Sequence, residues 1–303
     1  MDQIIDIAQD GRHLSREHGF LKVEHDGRLI GRVPLDQVAS VIVHGYGTTW
    51  TNSLLVELAE RGAPVVLCAT NHQPRAVLLP LEGHHAQGGR MKAQWTAPEA
   101  LRKQAWKRVV IAKIKMQAAA LFATGQPGAP LDFMTRRVHS GDSTNVEAQA
   151  ARTYWPLLLG PEFRRDPDRR DINGLLNYGY TVLRATSARA VVAAGLHPTI
   201  GIFHSNRSNA FALADDLMEP FRPFVDLTAR AIFEESGPEV TPAAKQALAK
   251  LIALDLPLLG EKSPISVALS RLAVSLAQSF ETRSIALALP EPPDYSVLSG
   301  LGR

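Results

Sequence analysis

The chain has 303 residues, 45% hydrophobic and 21% charged, which suits a soluble globular protein long enough for two domains. Its one cysteine, Cys68, excludes a disulfide framework and a cysteine-type zinc cluster and fits a reducing cytoplasm. The net charge of +3 names no partner, no apolar run approaches the ~20 residues of a membrane span, and Met1-Asp-Gln-Ile-Ile-Asp lacks the basic start of a signal peptide.

Residues 1–82 read as a small β-rich domain. Phe20-Leu-Lys-Val-Glu and Leu29-Ile-Gly-Arg-Val flank Asp26-Gly27, a strong hairpin signal. Ser40-Val-Ile-Val-His, Val65 to Cys68 and Ala76 to Leu79 are further short strands. Thr51 or Asn52 caps a helix that Gly62 ends. Gly45-Tyr-Gly47 lacks the rest of any phosphate-loop fingerprint. Residues 83–89, holding His84-His85 and three glycines, are the expected linker. Histidines in such a loop are usually idle.

Residues 90–287 are mainly helical. From Arg90 to Lys115 there are eight basic residues against one acid, Glu99, with Trp95 and Trp106 among them. A basic stripe with aromatics suits a phosphate backbone. A solvated helix face with its tryptophans turned inward accounts for it equally well. Leu101 to Phe122 is the long helix carrying that stripe, closed by Gly125 and Pro127. Ser143 or Thr144 caps a helix through Val146, Ala150 and Tyr154 that Pro156 should stop, with Glu147 on its first turn. Alone, Glu147 reads as an acid complementing the helix dipole. Asp171 opens a helix to about Ala194, ended by Gly195-Leu-His-Pro.

Thr199-Ile-Gly-Ile-Phe then delivers His204. Ser208 or Asn209 can cap a helix with Phe211, Leu213, Ala214, Leu217 and Met218 on its buried side. Asp215 and Glu219 are four apart and Asp216 and Glu219 three apart, so either pair shares a face. Pro220 should kink or restart the helix just after Glu219, which lets a carboxylate project into a cleft. A capping-box variant explains the same acids without a site. Lys245 to Leu258 and Ile265 to Phe280 read as amphipathic helices. Residues 288–303, rich in Pro and Gly, read as a mobile tail.

Asn145-Val-Glu-Ala, Tyr154-Trp, Asn173-Gly-Leu-Leu-Asn-Tyr-Gly-Tyr, Gly195-Leu-His-Pro, Gly201-Ile-Phe-His and Asp216-Leu-Met-Glu-Pro-Phe-Arg-Pro occur in the order found in the CRISPR adaptation integrases, CRISPR-associated protein one. The resemblance covers essentially the whole chain, and the wording of the last motif is most similar to the type II branch. It implies an α+β protein, with a small β-rich N-terminal domain followed by a larger helical catalytic domain. It also implies a metal site of Glu147, His204 and Glu219, with Asp216 as a supporting acid. Two carboxylates and an imidazole suit Mg2+ or Mn2+.

The implied reaction is insertion of new spacers into a CRISPR repeat array by 3′-hydroxyl attack on a repeat phosphodiester. The implied partners are double-stranded DNA, a second copy of the chain bound through the β-rich domains, and a small second subunit, CRISPR-associated protein two. Lys103, Lys107, Arg108, Arg207 and Arg222 are the candidate DNA contacts. For Arg207 and Arg222 the competing role is an ion pair with Asp226 or Asp216. The other functions open to these residues are a structure-selective nuclease on branched DNA or RNA, and a metal-free DNA-binding scaffold. A zinc hydrolase is disfavoured, because no His-Glu-x-x-His spacing exists.

Overall fold

The computed structural model describes residues 3–301 other than 70, 73, 205 and 207. It divides into two units, Met1–Gly83 and His84–Arg303.

The first unit holds strands β1 (Gln3–Ile7), β2 (Arg12–Glu17), β3 (Phe20–His25), β4 (Arg28–Pro34), β5 (Val38–Val43), β6 (Thr49–Trp50), β7 (Val65–Cys68) and β8 (Pro74–Leu78), with helix α1 (Asn52–Glu60). They form two four-stranded sheets, ordered β1-β5-β7-β8 and β4-β3-β2-β6. All six residues of β5 are buried, and it pairs in parallel with both β1 and β7. A strand covered on both faces needs that continuous apolar run. Asp26 and Gly27 join β3 to β4 with φ of 48° and 73°, the doubly left-handed geometry of a type I′ turn. Leu54 and Leu58 of α1 pack with Leu14, Leu21 and Leu35 in the core of this unit. Burying each such leucine is worth about 1.5–3 kcal/mol.

The second unit is mainly helical. Its helices are α2 (Gln87–Trp95), α3 (Glu99–Ala123), α4 (Ala129–Met134), α5 (Val146–Leu159), α6 (Asn173–Ala193), α7 (Ala212–Met218), α8 (Arg222–Ser236), α9 (Pro242–Lys250), α10 (Ile265–Thr282) and α11 (Tyr295–Leu301). A hairpin of β9 (Asp255–Leu258) and β10 (Glu261–Pro264) lies between α9 and α10. Helix α6 is buried on nearly every side, as its Leu, Val, Ala and Tyr content requires. Gly179 lets α8 approach, since a Cβ there would sit 2.4 Å from Cγ1 of Val225. The protein is thus α+β, a β-rich start followed by a larger helical part. Among the described residues, no helix is long and apolar enough to cross a membrane.

Several local expectations give way to tertiary context. Pro156 does not stop α5, which runs on to Leu159. With so little helix left, its missing N–H removes a single bond, and buried Leu158 holds the last turn. Leu254 to Leu258 is not helical. Leu256 and Leu258 are buried at strand spacing, and Leu259-Gly260 turns the chain with φ of 53° and 83°. Residues 87–89, expected in the linker, form the first turn of α2. The stretch expected to be a mobile tail carries α11, whose Leu298 is buried and which lies against α3 and α8.

Candidate active site

Glu147 stands on the first turn of α5. Asn145 enters that helix in the left-handed region, at φ 52°. The cap is neither Ser143 nor Thr144 but the buried Asp142, which accepts the amide hydrogens of Val146 at 2.8 Å and Glu147 at 3.0 Å. Its negative charge lies where the α5 dipole is positive.

His204 is held by a tied-down loop. Gln94 of α2 is buried. Its Nε2 donates to the carbonyls of His197 at 3.0 Å and Ile200 at 2.8 Å, and its Oε1 accepts the His197 amide at 2.8 Å. Gly201 permits the next turn, because a Cβ would meet the His204 carbonyl at 2.5 Å and Asp216 at 2.9 Å. The amides of Ile202, Phe203 and His204 then converge on the Asp216 carboxylate at 2.7, 3.1 and 3.3 Å. His204 Nδ1 donates to the same carboxylate at 2.5 Å. That bond raises the imidazole pKa against the effect of burial, while burial raises that of Asp216 despite its donors. Phe203 stacks on buried Trp106 with ring centroids 4.3 Å apart. Helix α7 starts at Ala212, and Asn209 closes the turn before it by accepting the Phe211 amide at 2.9 Å.

Glu219 lies at the break set by Pro220, where α7 yields to a 3-10 turn, Glu219–Phe221, before α8. Its carboxylate is buried. Lys113 of α3 reaches Oε2 of Glu219 and Oε1 of Glu147, both at 2.6 Å. Arg222 meets Oε1 of Glu219 at 3.1 Å and lies over the Tyr180 ring at 4.9 Å. Burial opposes the Lys113 charge, but the two glutamates outweigh it and raise the lysine pKa. Burial likewise opposes the Glu219 charge, and Arg222 and Lys113 outweigh it, lowering the Glu219 pKa.

Behind this cluster, Asp226 accepts the hydroxyl hydrogens of Tyr154 at 2.9 Å and Tyr180 at 2.5 Å. Burial pushes its pKa up to about 6. Asp215 is buried and takes a two-point ion pair from Arg184, at 2.6 and 3.0 Å.

Glu147 and Glu219 therefore come together on one cation, and Asp216 holds His204 by one ring nitrogen, leaving Nε2 as the nitrogen for a ligand. Among the described residues, no three His, Cys, Asp or Glu side chains are grouped as a metal centre. The point between the two glutamates is held by the Lys113 ammonium. The donors fit a divalent ion all the same: two carboxylates already share one cation, and the imidazole is oriented by a carboxylate, as metal-binding histidines are.

Of the candidate DNA contacts, Arg207 lies outside the described residues. Lys103 is exposed and pairs with Glu99 at 2.6 Å, Lys107 is half-buried and Arg108 exposed. Arg222 is bonded to Glu219 rather than to Asp226 or Asp216. Trp95 is exposed while Trp106 is fully buried, so the stripe is split between surface and core. Lys113 belongs to that stripe by sequence yet faces the acids. Its signal is positional: Ala112, Ile114 and Met116 around it are buried. Gln94, Asp142 and Asp226 carried no local signal, because their partners are set by tertiary approach.

The chain matches the family described as CRISPR associated protein Cas1 over residues 5–238. It is 38% identical over 250 residues to the CRISPR-associated endonuclease Cas1 of Neisseria meningitidis serogroup C (strain 8013), covering 81% of this chain and 82% of that one. In fold it is similar to a casposase bound to integration product, with a TM-score of 0.81 at 20% identity over 96% of this chain and 94% of that one. It is also similar to a chain of a Cas6-RT-Cas1–Cas2 complex, with a TM-score of 0.71 at 19% identity over 93% of this chain and 35% of that longer one. The protein belongs to the Cas1 family of CRISPR-associated endonucleases.

Proposed function

We propose that this protein is a metal-dependent DNA integrase that joins the 3′-hydroxyl of a prespacer strand to a phosphodiester of a CRISPR repeat. The observation that carries the reading is the convergence of Glu147 and Glu219 on one cation, beside a His204 fixed by Asp216. Glu147, Glu219 and Nε2 of His204 would hold Mg2+ or Mn2+. When bound, such an ion supplies Lewis acidity to the scissile phosphate and helps activate the attacking hydroxyl.

The rest is done by the chain. Asp216 keeps the His204 proton on Nδ1 and so keeps Nε2 as a lone-pair donor. Arg222 fixes the Glu219 carboxylate from its far side. Lys107 and Arg108, with Lys103, present charge to the DNA backbone. No cysteine or serine lies in a matched motif, so the nucleophile belongs to the substrate. Phosphoryl transfer of this kind is mostly positioning and charge neutralisation. The working form is a homodimer through the β-rich domain, acting on double-stranded DNA with the small second adaptation subunit, in the cytoplasm. The Met218-Glu-Pro-Phe-Arg-Pro wording supports a type II setting.

A structure-selective nuclease would use the same residues. The likeness to a casposase caught with integration product supports joining over plain cleavage. The test follows a labelled prespacer with a free or a blocked 3′ end into a repeat-bearing supercoiled plasmid, with the second subunit and Mn2+ present. Joining that requires the free hydroxyl is expected. Cleavage without joining, or equal joining of the blocked strand, overturns the reading.

A further inference from the structure

We propose that Lys113 is a resident counter-cation that competes with the divalent ion for the Glu147–Glu219 pair and so sets how tightly that ion is held. The inference rests on the metal-site reading above.

Lys113 Nζ stands 2.6 Å from Oε1 of Glu147 and 2.6 Å from Oε2 of Glu219, so one ammonium bridges the acids of two separate elements. Its side chain is only 12% exposed, and that of Glu219 only 4%. Arg222 already takes the other Glu219 oxygen at 3.1 Å. Two carboxylates are therefore matched by two cationic side chains. A divalent ion entering without displacing either would add two positive charges beside carboxylates that are already matched, one of them, Glu219, nearly shut off from water. Charges so buried persist only when paired.

The spacing makes Lys113 the group that leaves. A point 2.6 Å from both oxygens lies about half an ångström beyond the ~2.1 Å that Mg2+ takes from its ligands, so a small closure of the acids suffices. Lysine is a point charge on a flexible four-carbon stem, whereas Arg222 is a planar fork set over the Tyr180 ring at 4.9 Å. Bridging the two acids also holds their oxygens together, so Lys113 preforms the pair that it blocks. A purely structural Lys113 predicts the opposite of competition, because losing it would scatter the acids and weaken the ion.

The test is Mn2+ binding to the full chain, read from the free-ion electron paramagnetic resonance signal, for the wild type, Lys113→Met and Lys113→Arg. Lys113→Met is expected to bind Mn2+ at least tenfold more tightly than the wild type, and Lys113→Arg no more tightly. Equal or weaker binding by a folded Lys113→Met overturns the proposal. A second reading uses the wild type alone and stands if Lys113→Met does not fold: amine-reactive labelling followed by peptide mass spectrometry. Lys113 should label at least tenfold faster at saturating Mn2+ than without it, and an unchanged rate overturns the proposal. Glu147→Ala separates the two levels. Saturable Mn2+ binding lost in that variant keeps the metal-site reading even where Lys113 has no effect. A wild type that binds no Mn2+, or binding that survives Glu147→Ala, removes that reading and this proposal together.

Discussion

Asp216 Oδ1 and His204 Nδ1 meet at 2.5 Å, and that bond decides which nitrogen His204 can offer. The carboxylate also gathers three successive loop amides, so the side chain that orients the imidazole shapes the loop delivering it. Asp216→Asn keeps the size but presents an amide hydrogen to donors. Loss of such a supporting partner typically costs 10–100-fold in metal affinity. Mn2+ titration of Asp216→Asn should show a loss of about that size, whereas unchanged affinity would make Asp216 a loop anchor only.

Gln94 should matter more than its distance in sequence suggests. Gln94→Ala strands two loop carbonyls and one amide that it satisfies now. Leaving such part-buried groups unmade costs about 1 kcal/mol, the low end of the range for buried ones. Thermal unfolding should show that loss, and the joining rate should fall with little change in DNA affinity. A full joining rate would show that the loop is held without α2.

Asp226 gives the protein a pH-dependent weakness. It faces Tyr154 and Tyr180, with the Arg222 and Lys113 charges nearby, and its pKa rises from 3.8 to about 6. A carboxyl with a raised folded pKa keeps its proton in the folded state where the unfolded chain has lost it. Its stabilising contribution is full below the unfolded value, near 4, and is lost as pH rises through about 6. The loss between those limits is on the order of 2–3 kcal/mol. Asp226→Asn stays neutral and should lack that dependence. Melting curves of the two proteins should draw together near pH 4 and separate by pH 7, with the wild type losing ground. A constant gap would contradict the argument.

The surface part of the basic stripe should act on DNA binding alone. Lys107 and Arg108 lie outside the carboxylate cluster, so Lys107→Gln/Arg108→Gln should weaken DNA binding and reduce its salt slope by ~1 for each phosphate no longer neutralised. Mn2+ affinity should not change. An unchanged salt slope returns these residues to an ordinary solvated face.

What the sequence disclosed divides along a physical line. The Asp26-Gly27 hairpin, the short strands at Ser40 and Val65 and the break at Pro220 were legible, because each is decided by the residues that form it. Motif order pointed to Glu147, His204 and Glu219. Of the residues that hold them, Asp216 was legible from its motif, and three others were not. Asp142 replaces the expected Ser143 or Thr144 cap, Gln94 grips a loop about a hundred residues away in sequence, and Lys113 leaves its basic stripe for the acids. Each pairing is set by how helices approach. The same cause carried α5 past Pro156 and made a strand of Asp255–Leu258.

The central claim is that Glu147, His204 and Glu219 form one strand-transfer site. The most direct measurement is the initial rate at which a labelled prespacer 3′ end enters repeat-bearing plasmid, for Glu147→Ala against the wild type, with melting temperature and DNA affinity measured on the same samples. Loss of a metal ligand removes several kcal/mol of transition-state stabilisation, about a thousandfold or more in rate. The account predicts a loss of that size, with a folded protein and near-normal DNA affinity. Joining by Glu147→Ala at the wild-type rate would contradict it.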